Sequence, residues 1–316
     1  VTSTQEQEQL RLCQNETPNL YSEFSHQIRD VKSLGFSSIK KLSCASPEEI
    51  KPIFGEPVIY EINIDGVLFE MFAHLKQNSP FLYVFGPAAV DRVKNHLPYF
   101  PRWSWAINCP YSALSLNDPT LYLGDLKVGW FQGTEKQYYL PLSCNLVTRL
   151  ANLINLKTQD ILFCGSSAGG FSSLMMAAFV REASAFVVNP QTDITRDIKK
   201  RVNPLLELCF SGMTRREAKK KLISRLSVLE YCRSIGYLPR IFYLQNINDH
   251  SHWENHYLPF IQGIGNLILK SNLEINSVKF HSELYSYPGS HKEGSQAVTD
   301  EYWIQRAQAF MQSKAI

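Results

Sequence analysis

The chain has 316 residues, 44% hydrophobic and 12% aromatic, with 32 Lys and Arg against 29 Asp and Glu and a formal net charge of +3. Such a composition buries a large core, as one large domain with an accessory piece or as two domains, and excludes a disordered tail. So mild a charge gives no ground for a nucleic-acid-binding face, and no run of roughly 18 apolar residues suggests a transmembrane helix.

The amino-terminal stretch VTSTQEQEQLRLCQNE holds no apolar run of signal-peptide type. Residues 1–50 are polar and irregularly patterned, with short helices expected around Glu8–Cys13 and Tyr21–Leu34, and read as an accessory segment ahead of a main domain over 51–316. From Val58, VIYEINIDGVLFEMFAH reads as two strands around Asp65-Gly66, a dipeptide suited to a tight hairpin turn. FLYVFG (Phe81–Gly86) and WSWAIN (Trp103–Asn108) read as buried strands. Leu140–Leu156 has apolar residues at helical spacing and leads into DILFCGSSAGG, with a strand at Ile161–Cys164 and a helix over Ala168–Val180.

The alternation then repeats. Ala185–Pro190 is a strand, residues 191–238 a mostly helical excursion, and Arg240–Asn246 another strand. A helix near His256–Lys270, a strand over Ser277–Tyr287 and the helical YWIQRAQAFMQ complete the chain. Apolar strands alternating with helices predict a mostly parallel sheet covered on both faces, with functional groups in loops beyond the carboxyl ends of the strands. Cys13, Cys44, Cys109, Cys144, Cys164, Cys209 and Cys232 are odd in number and lack paired C-x-x-C spacing, which favours a reducing compartment over a zinc or thioredoxin-like motif.

Gly165-Ser166-Ser167-Ala168-Gly169-Gly170 matches G-x-S-x-G between an expected strand and an expected helix, with Ser167 at its centre. A chain that reverses this sharply has no room for side chains at 165 and 169, and the strained turn would hold the Ser167 hydroxyl clear of the sheet. The bland alternative is that Ser166 or Ser167 is a plain helix cap. Neither a Walker motif nor the dinucleotide fingerprint G-x-G-x-x-G occurs.

A serine hydroxyl needs an imidazole to take its proton, and that imidazole needs a carboxylate to fix its tautomer. Asp249 follows the strand Arg240–Asn246 and His291 follows the strand Ser277–Tyr287, in the order serine, acid, histidine. Asp193, after the preceding strand, is the alternative acid. His250, His252 and His256 crowd the Asp249 loop; structural hydrogen bonding or substrate contact suits them better than zinc, although His252 and His256 would share a helix face. His281 reads as a core or rim residue, and His26, His74 and His96 suggest no chemistry. For the oxyanion, the Ala168 N–H at the helix start is one expected donor, with Gly86 or Ala88 supplying a second because Pro87 has no N–H.

With GSSAGG, LQNINDHSHWENHYLPF and YPGSHKEG in these positions, the sequence resembles the α/β-hydrolase superfamily over roughly residues 57–315. The elbow and the acid loop also resemble bacterial capsule and surface-polysaccharide O-acetyltransferases, including the serogroup A meningococcal capsule type. The resemblance implies an α/β-hydrolase fold, a Ser-Asp-His triad, and a helical lid at about 191–238. It implies an esterase acting on an acylated carbohydrate or other small ester without a cofactor. One alternative is an acetyl-CoA-dependent polysaccharide O-acetyltransferase; another is an inactive scaffold or glycan-binding protein in surface-polysaccharide or export machinery.

Residues 191–225 carry ten Lys and Arg against four acidic residues, a field suited to an anionic glycan, an anionic lipid surface or the phosphates of coenzyme A, and equally to a solvated helix face. Trp103, Trp105, Tyr111, Trp130, Phe131, Trp253 and Tyr257 gather near the expected rim, with Trp130 expected on an exposed loop between Gly129 and Gly133. A cytoplasmic location, at or near the inner face of the membrane, fits these features.

Overall fold

A computed structural model describes residues 39–270, 280–289, 291–296 and 298–313. The helices expected at Glu8–Cys13 and Tyr21–Leu34, with Cys13 and His26, lie outside the described residues.

Nine strands form a single sheet: β1 (Lys40–Cys44), β2 (Pro57–Ile64), β3 (Val67–His74), β4 (Leu82–Phe85), β5 (Ser112–Leu116), β6 (Ile161–Ser167), β7 (Ser184–Pro190), β8 (Arg240–Asn246) and β9 (Phe280–Tyr285). Their spatial order is β1-β2-β3-β5-β4-β6-β7-β8-β9. Only the β2–β3 and β3–β5 pairings are antiparallel. The hairpin turns at Asp65 (φ 51°) and Gly66 (φ 81°), where two successive positive φ values match the right-handed twist of the flanking strands. Because β1 pairs with β2, the sheet begins within the segment that the sequence assigns to an accessory piece.

The helices are α1 (Trp103–Asn108), α2 (Tyr139–Leu153), α3 (Ala168–Phe179), α4 (Lys199–Cys209), α5 (Arg215–Lys221), α6 (Ile223–Leu226), α7 (Val228–Ile235), α8 (Leu258–Lys270), α9 (His291–Gln296) and α10 (Asp300–Gln312). Successive strand residues point to opposite faces, so Ile161 and Phe163 of β6 join one buried cluster with α2, α3 and α8, while Leu162 and Cys164 join another with α1 and α10. Both faces are thereby covered, as near-continuous apolar runs in parallel strands require. Helices α4 to α7 form the lid-like insertion between β7 and β8.

Two local expectations are corrected. Trp103–Asn108 is helix α1, and the strand is the following SALSL, β5, all of whose residues are buried. Small side chains let β5 run through the middle of the sheet, while Trp103 and Trp105 pack as helix side chains against Phe72 and Phe85. Trp130 is 1% exposed, not on an exposed loop. A Cβ at Gly129 would meet Thr120 Cβ at 2.5 Å and one at Gly133 would meet Gln137 O at 2.3 Å, so the glycines there serve tight packing.

Candidate active site

Ser167 ends β6 and immediately precedes α3, at φ 53° and ψ −122°, a backbone conformation that L-residues reach only at a cost of about 1–3 kcal/mol. The neighbouring glycines account for how the turn closes. A Cβ on Gly165 would lie 2.3 Å from the Gly169 backbone, and one on Gly169 would lie 2.6 Å from Gly86 O. The turn is also pinned from outside: Gln191 N–H donates to Ser167 O at 3.0 Å, and Arg102 Nη2 donates to Ser166 Oγ at 2.9 Å. Although Ser167 occupies the N-cap position, its side chain caps nothing, which removes the cap-only reading of this residue.

Asp249 lies just past β8 and is 5% exposed. Its Oδ1 accepts His252 N–H at 3.2 Å, capping the turn His250–His252, which passes through a π-helical turn at Trp253–Tyr257 into α8. Its Oδ2 accepts from His291 Nδ1 at the start of α9. Burial works against the carboxylate's charge, but hydrogen bonds from His252 and His291 prevail and hold its pKa well below the usual range. A carboxylate set this way fixes the orientation of the imidazole that it pairs with.

The strand beside Ser167 is linked to α9 through the end of β7. Pro190 pairs with Ser167 across the strands, and the adjacent Asn189, at φ 43° and fully buried, ties three elements together. Its Oδ1 accepts Asn246 N–H at 2.6 Å; its Nδ2 donates to Tyr285 Oη at 2.7 Å and to Ser295 Oγ at 3.0 Å. Tyr285 Oη in turn donates to Gly294 O at 2.8 Å. Helix α9, and His291 with it, is therefore anchored to the strand that flanks Ser167. Among the described residues, Ser167 Oγ makes no hydrogen bond to His291.

Ala168 is the first residue of α3, where its N–H has no partner within the helix. Gly86 N–H is taken by Cys164 O at 2.9 Å and so is not available to an oxyanion. Asp193 Oδ1 accepts from Thr195 N and Oγ1 at 2.8 and 2.6 Å, and its other oxygen lies 3.5 Å from Arg196, so this carboxylate caps its own turn. His256 is buried with Nδ1 accepting Thr192 N–H at 3.2 Å, and burial, first of all, pushes its pKa down to about 3. With that lone pair spent, His252 and His256 do not form the zinc pair that their spacing allows. His250 is exposed, and His281 sits at the rim, 3.0 Å from Glu283.

Asp249, His252 and His291 offer ligand-type atoms within 4.8 Å of one another. The two rings are stacked, 3.8 Å apart and 5° from parallel, so their in-plane lone pairs run side by side instead of converging on one ion. Sequence reasoning grouped the histidines of this loop but did not single out His252 or Asn189; the three-residue step from Asp249 to His252, one helical turn, is the signal that marks the former.

No family model and no curated protein sequence matches this chain. Solved structures do match it. The capsule O-acetyltransferase of Neisseria meningitidis serogroup A superposes with a TM-score of 0.54 at 16% identity, covering 79% of this chain and 96% of that one. The carboxylesterase Cest-2923 of Lactobacillus plantarum gives 0.53 at 14% identity, over 83% and 98%. A CoA complex of the same meningococcal enzyme, as a mutant, gives 0.55 at 17%, over 79% and 96%. The chain has the α/β-hydrolase fold. In α/β-hydrolases the nucleophile stands on a sharp strand-to-helix turn at the carboxyl end of the sheet, the place and backbone that Ser167 occupies. Likeness at these identities establishes the fold, and the chemistry rests on the residues described above.

Proposed function

We propose that this protein is a serine-dependent acyl-transfer enzyme, an esterase acting on an acylated carbohydrate or other small ester. The observation that carries the reading is Ser167 itself: a hydroxyl at a helix N-cap that caps nothing, on a strained turn that glycine contacts force. In the proposed reaction Ser167 Oγ turns toward His291 as substrate fills the site and attacks the ester carbonyl carbon while its proton passes to His291 Nε2. Asp249 keeps the other ring nitrogen protonated. Ala168 and Ala88 N–H groups receive the oxyanion. Collapse expels the alcohol, which takes the proton from His291, and water attacks the acyl-serine by the same steps in reverse.

A second reading, transfer of an acetyl group from acetyl-CoA to a sugar hydroxyl, is supported by the lid. Lys199, Lys200, Arg216 and Lys219–Lys221 are exposed there. A cleft of about 230 Å³ beside Thr192 and Asp193 has Arg196 and Lys219 in its walls, cations that suit phosphate. The CoA complex of the structurally similar capsule enzyme points the same way.

A fluorophosphonate probe tests the shared chemistry: it should label the wild type on Ser167 and fail on Ser167→Ala. Asp249→Asn should slow labelling roughly 10³–10⁴-fold, and Asp193→Asn should leave it unchanged. Labelling that survives Ser167→Ala would refute the assignment, and a wild type that never labels would leave a non-catalytic scaffold. Labelled acetyl-CoA incubated with candidate glycans separates the two enzymes: label on sugar marks the transferase, and acetate released from an acetylated glycan without donor marks the esterase.

A further inference from the structure

Two imidazoles share one carboxylate. His291 Nδ1 meets Asp249 Oδ2, while His252 Nδ1 lies 3.3 Å from Oδ1 and 3.2 Å from Oδ2. The His252 ring also lies flat on the His291 ring at 3.8 Å and is 6% exposed. Without the His252 ring, Asp249 would keep the His252 backbone N–H on Oδ1 and His291 on Oδ2, and one face of the His291 ring would lose the surface it lies against.

We propose that His252 is a positioning residue for acyl transfer, clamping Asp249 through its Nδ1–H and His291 through its ring face so that the base meets Ser167 in one orientation. This rests on the roles given above to Ser167, Asp249 and His291. The clamp has an electrostatic side as well. By donating to Asp249, His252 takes up part of the carboxylate's charge, which would otherwise fall wholly on His291. When that proton arrives, the imidazolium lies against the face of a neutral aromatic ring, a favourable arrangement of the cation–π kind.

For this His252 must stay neutral. Burial, the leading effect, keeps its pKa below the ordinary histidine range, and the charge of His291 acts in the same direction; the hydrogen bond to Asp249 and the charges of Asp249 and Asp197 oppose. The titratable groups around the ring are thus Asp249 and His256 on its own segment, His291 on α9 and Asp197 in the lid insertion, with Arg196 acting on His256.

Two substitutions separate the hydrogen bond from the stack. His252→Phe keeps a flat ring and removes the donor; His252→Asn keeps a donor where Nδ1 stands and removes the ring. The full chain, checked for native circular dichroism, is reacted with excess fluorophosphonate, and the Ser167 labelling rate is followed against pH by intact mass. His252→Phe should label about 10- to 100-fold more slowly near neutral pH. Its acid-limb midpoint should move to higher pH, because the whole carboxylate charge then falls on His291 and favours its protonated form. His252→Asn should recover to within about fivefold of wild type, with the midpoint restored. Wild-type rate and midpoint in His252→Phe, with labelling abolished in His291→Ala, would overturn the clamp alone. Undiminished labelling in His291→Ala would overturn the triad on which it rests. A measurement on the wild type needs no variant to fold: proton NMR should show two strongly deshielded ring N–H signals, one per histidine on Asp249, and a single such signal would overturn the clamp.

Discussion

Trp130 donates its indole N–H to Gln191 Oε1 at 2.7 Å, and Gln191 N–H in turn donates to Ser167 O at 3.0 Å. Both Trp130 and Gln191 are essentially fully buried. The loop between β5 and α2 thus reaches the carbonyl of Ser167 through one intermediary. Trp130→Phe keeps most of the packing and loses the donor, leaving an amide oxygen buried without its partner. A stability loss of about 1–2 kcal/mol is expected from urea unfolding, accompanied by slower Ser167 labelling. Unchanged labelling in a destabilised variant would show that the loop supports the fold and not the turn.

Asn189 gathers Asn246, Tyr285 and Ser295 onto the end of β7. Asn189→Ala removes these bonds and strands the buried Asn246 N–H, so a cost of about 2–3 kcal/mol is expected, with an additional fall in labelling because α9 carries His291. If labelling kept pace with wild type at temperatures where the variant is folded, α9 would be held by other contacts.

Gly165 in the turn and Gly265 in α8 should respond oppositely to alanine. Gly165→Ala drives a methyl against the Gly169 backbone at 2.3 Å, where no side-chain rotation relieves the clash, and should cost about 3 kcal/mol or more. Gly265, inside α8, has nothing within 4 Å of its would-be Cβ, and Gly265→Ala should stabilise by about 0.5–1 kcal/mol. Thermal unfolding of the two variants against wild type checks both signs.

Glu70 supplies a pH dependence unrelated to catalysis. It is 3% exposed on β3, and burial pushes its carboxyl up to about 7 against hydrogen bonds from Tyr122 and Asn117 that favour its charge. Between the ordinary value of 4.5 and about 7 the folded chain holds a proton that the unfolded chain has released, so stability falls as pH rises through that window. Glu70→Gln should therefore gain on wild type between about pH 5 and about pH 8, by something of order 2 kcal/mol. Equal melting-temperature differences at the two pH values would contradict this.

The turn at Ser167 was legible in the sequence because its constraint is local: strand, glycine, serine, glycine and helix follow one another within a few residues. The pairing of Asp249 with His291 was legible for a different reason, since parallel strands deliver the loops after β8 and β9 to the same edge of the sheet. Residues that act through packing across distant segments were not legible in this way. Nothing near Trp130 in the chain announces Gln191, and nothing near Asn189 announces Ser295. Trp103–Asn108 misled because its aromatic and apolar residues suit strand and helix alike, while the place in the sheet is taken by the following SALSL of β5, buried at every residue. The Gly86 donor failed through a strand contact: its N–H continues the ladder to Cys164 instead of facing the turn.

Arg225, at the close of the insertion, lies over the rings of Tyr138 and Phe210 at 4.2 and 5.0 Å and donates to the carbonyls of Gln132 and Thr134. Its guanidinium ties the insertion to the loop that precedes α2. Swinging these helices outward would part a half-buried cation from the Tyr138 ring and from both carbonyl acceptors together, a steeper penalty than a fully exposed contact imposes. The insertion is therefore fastened at this point by more than surface contact.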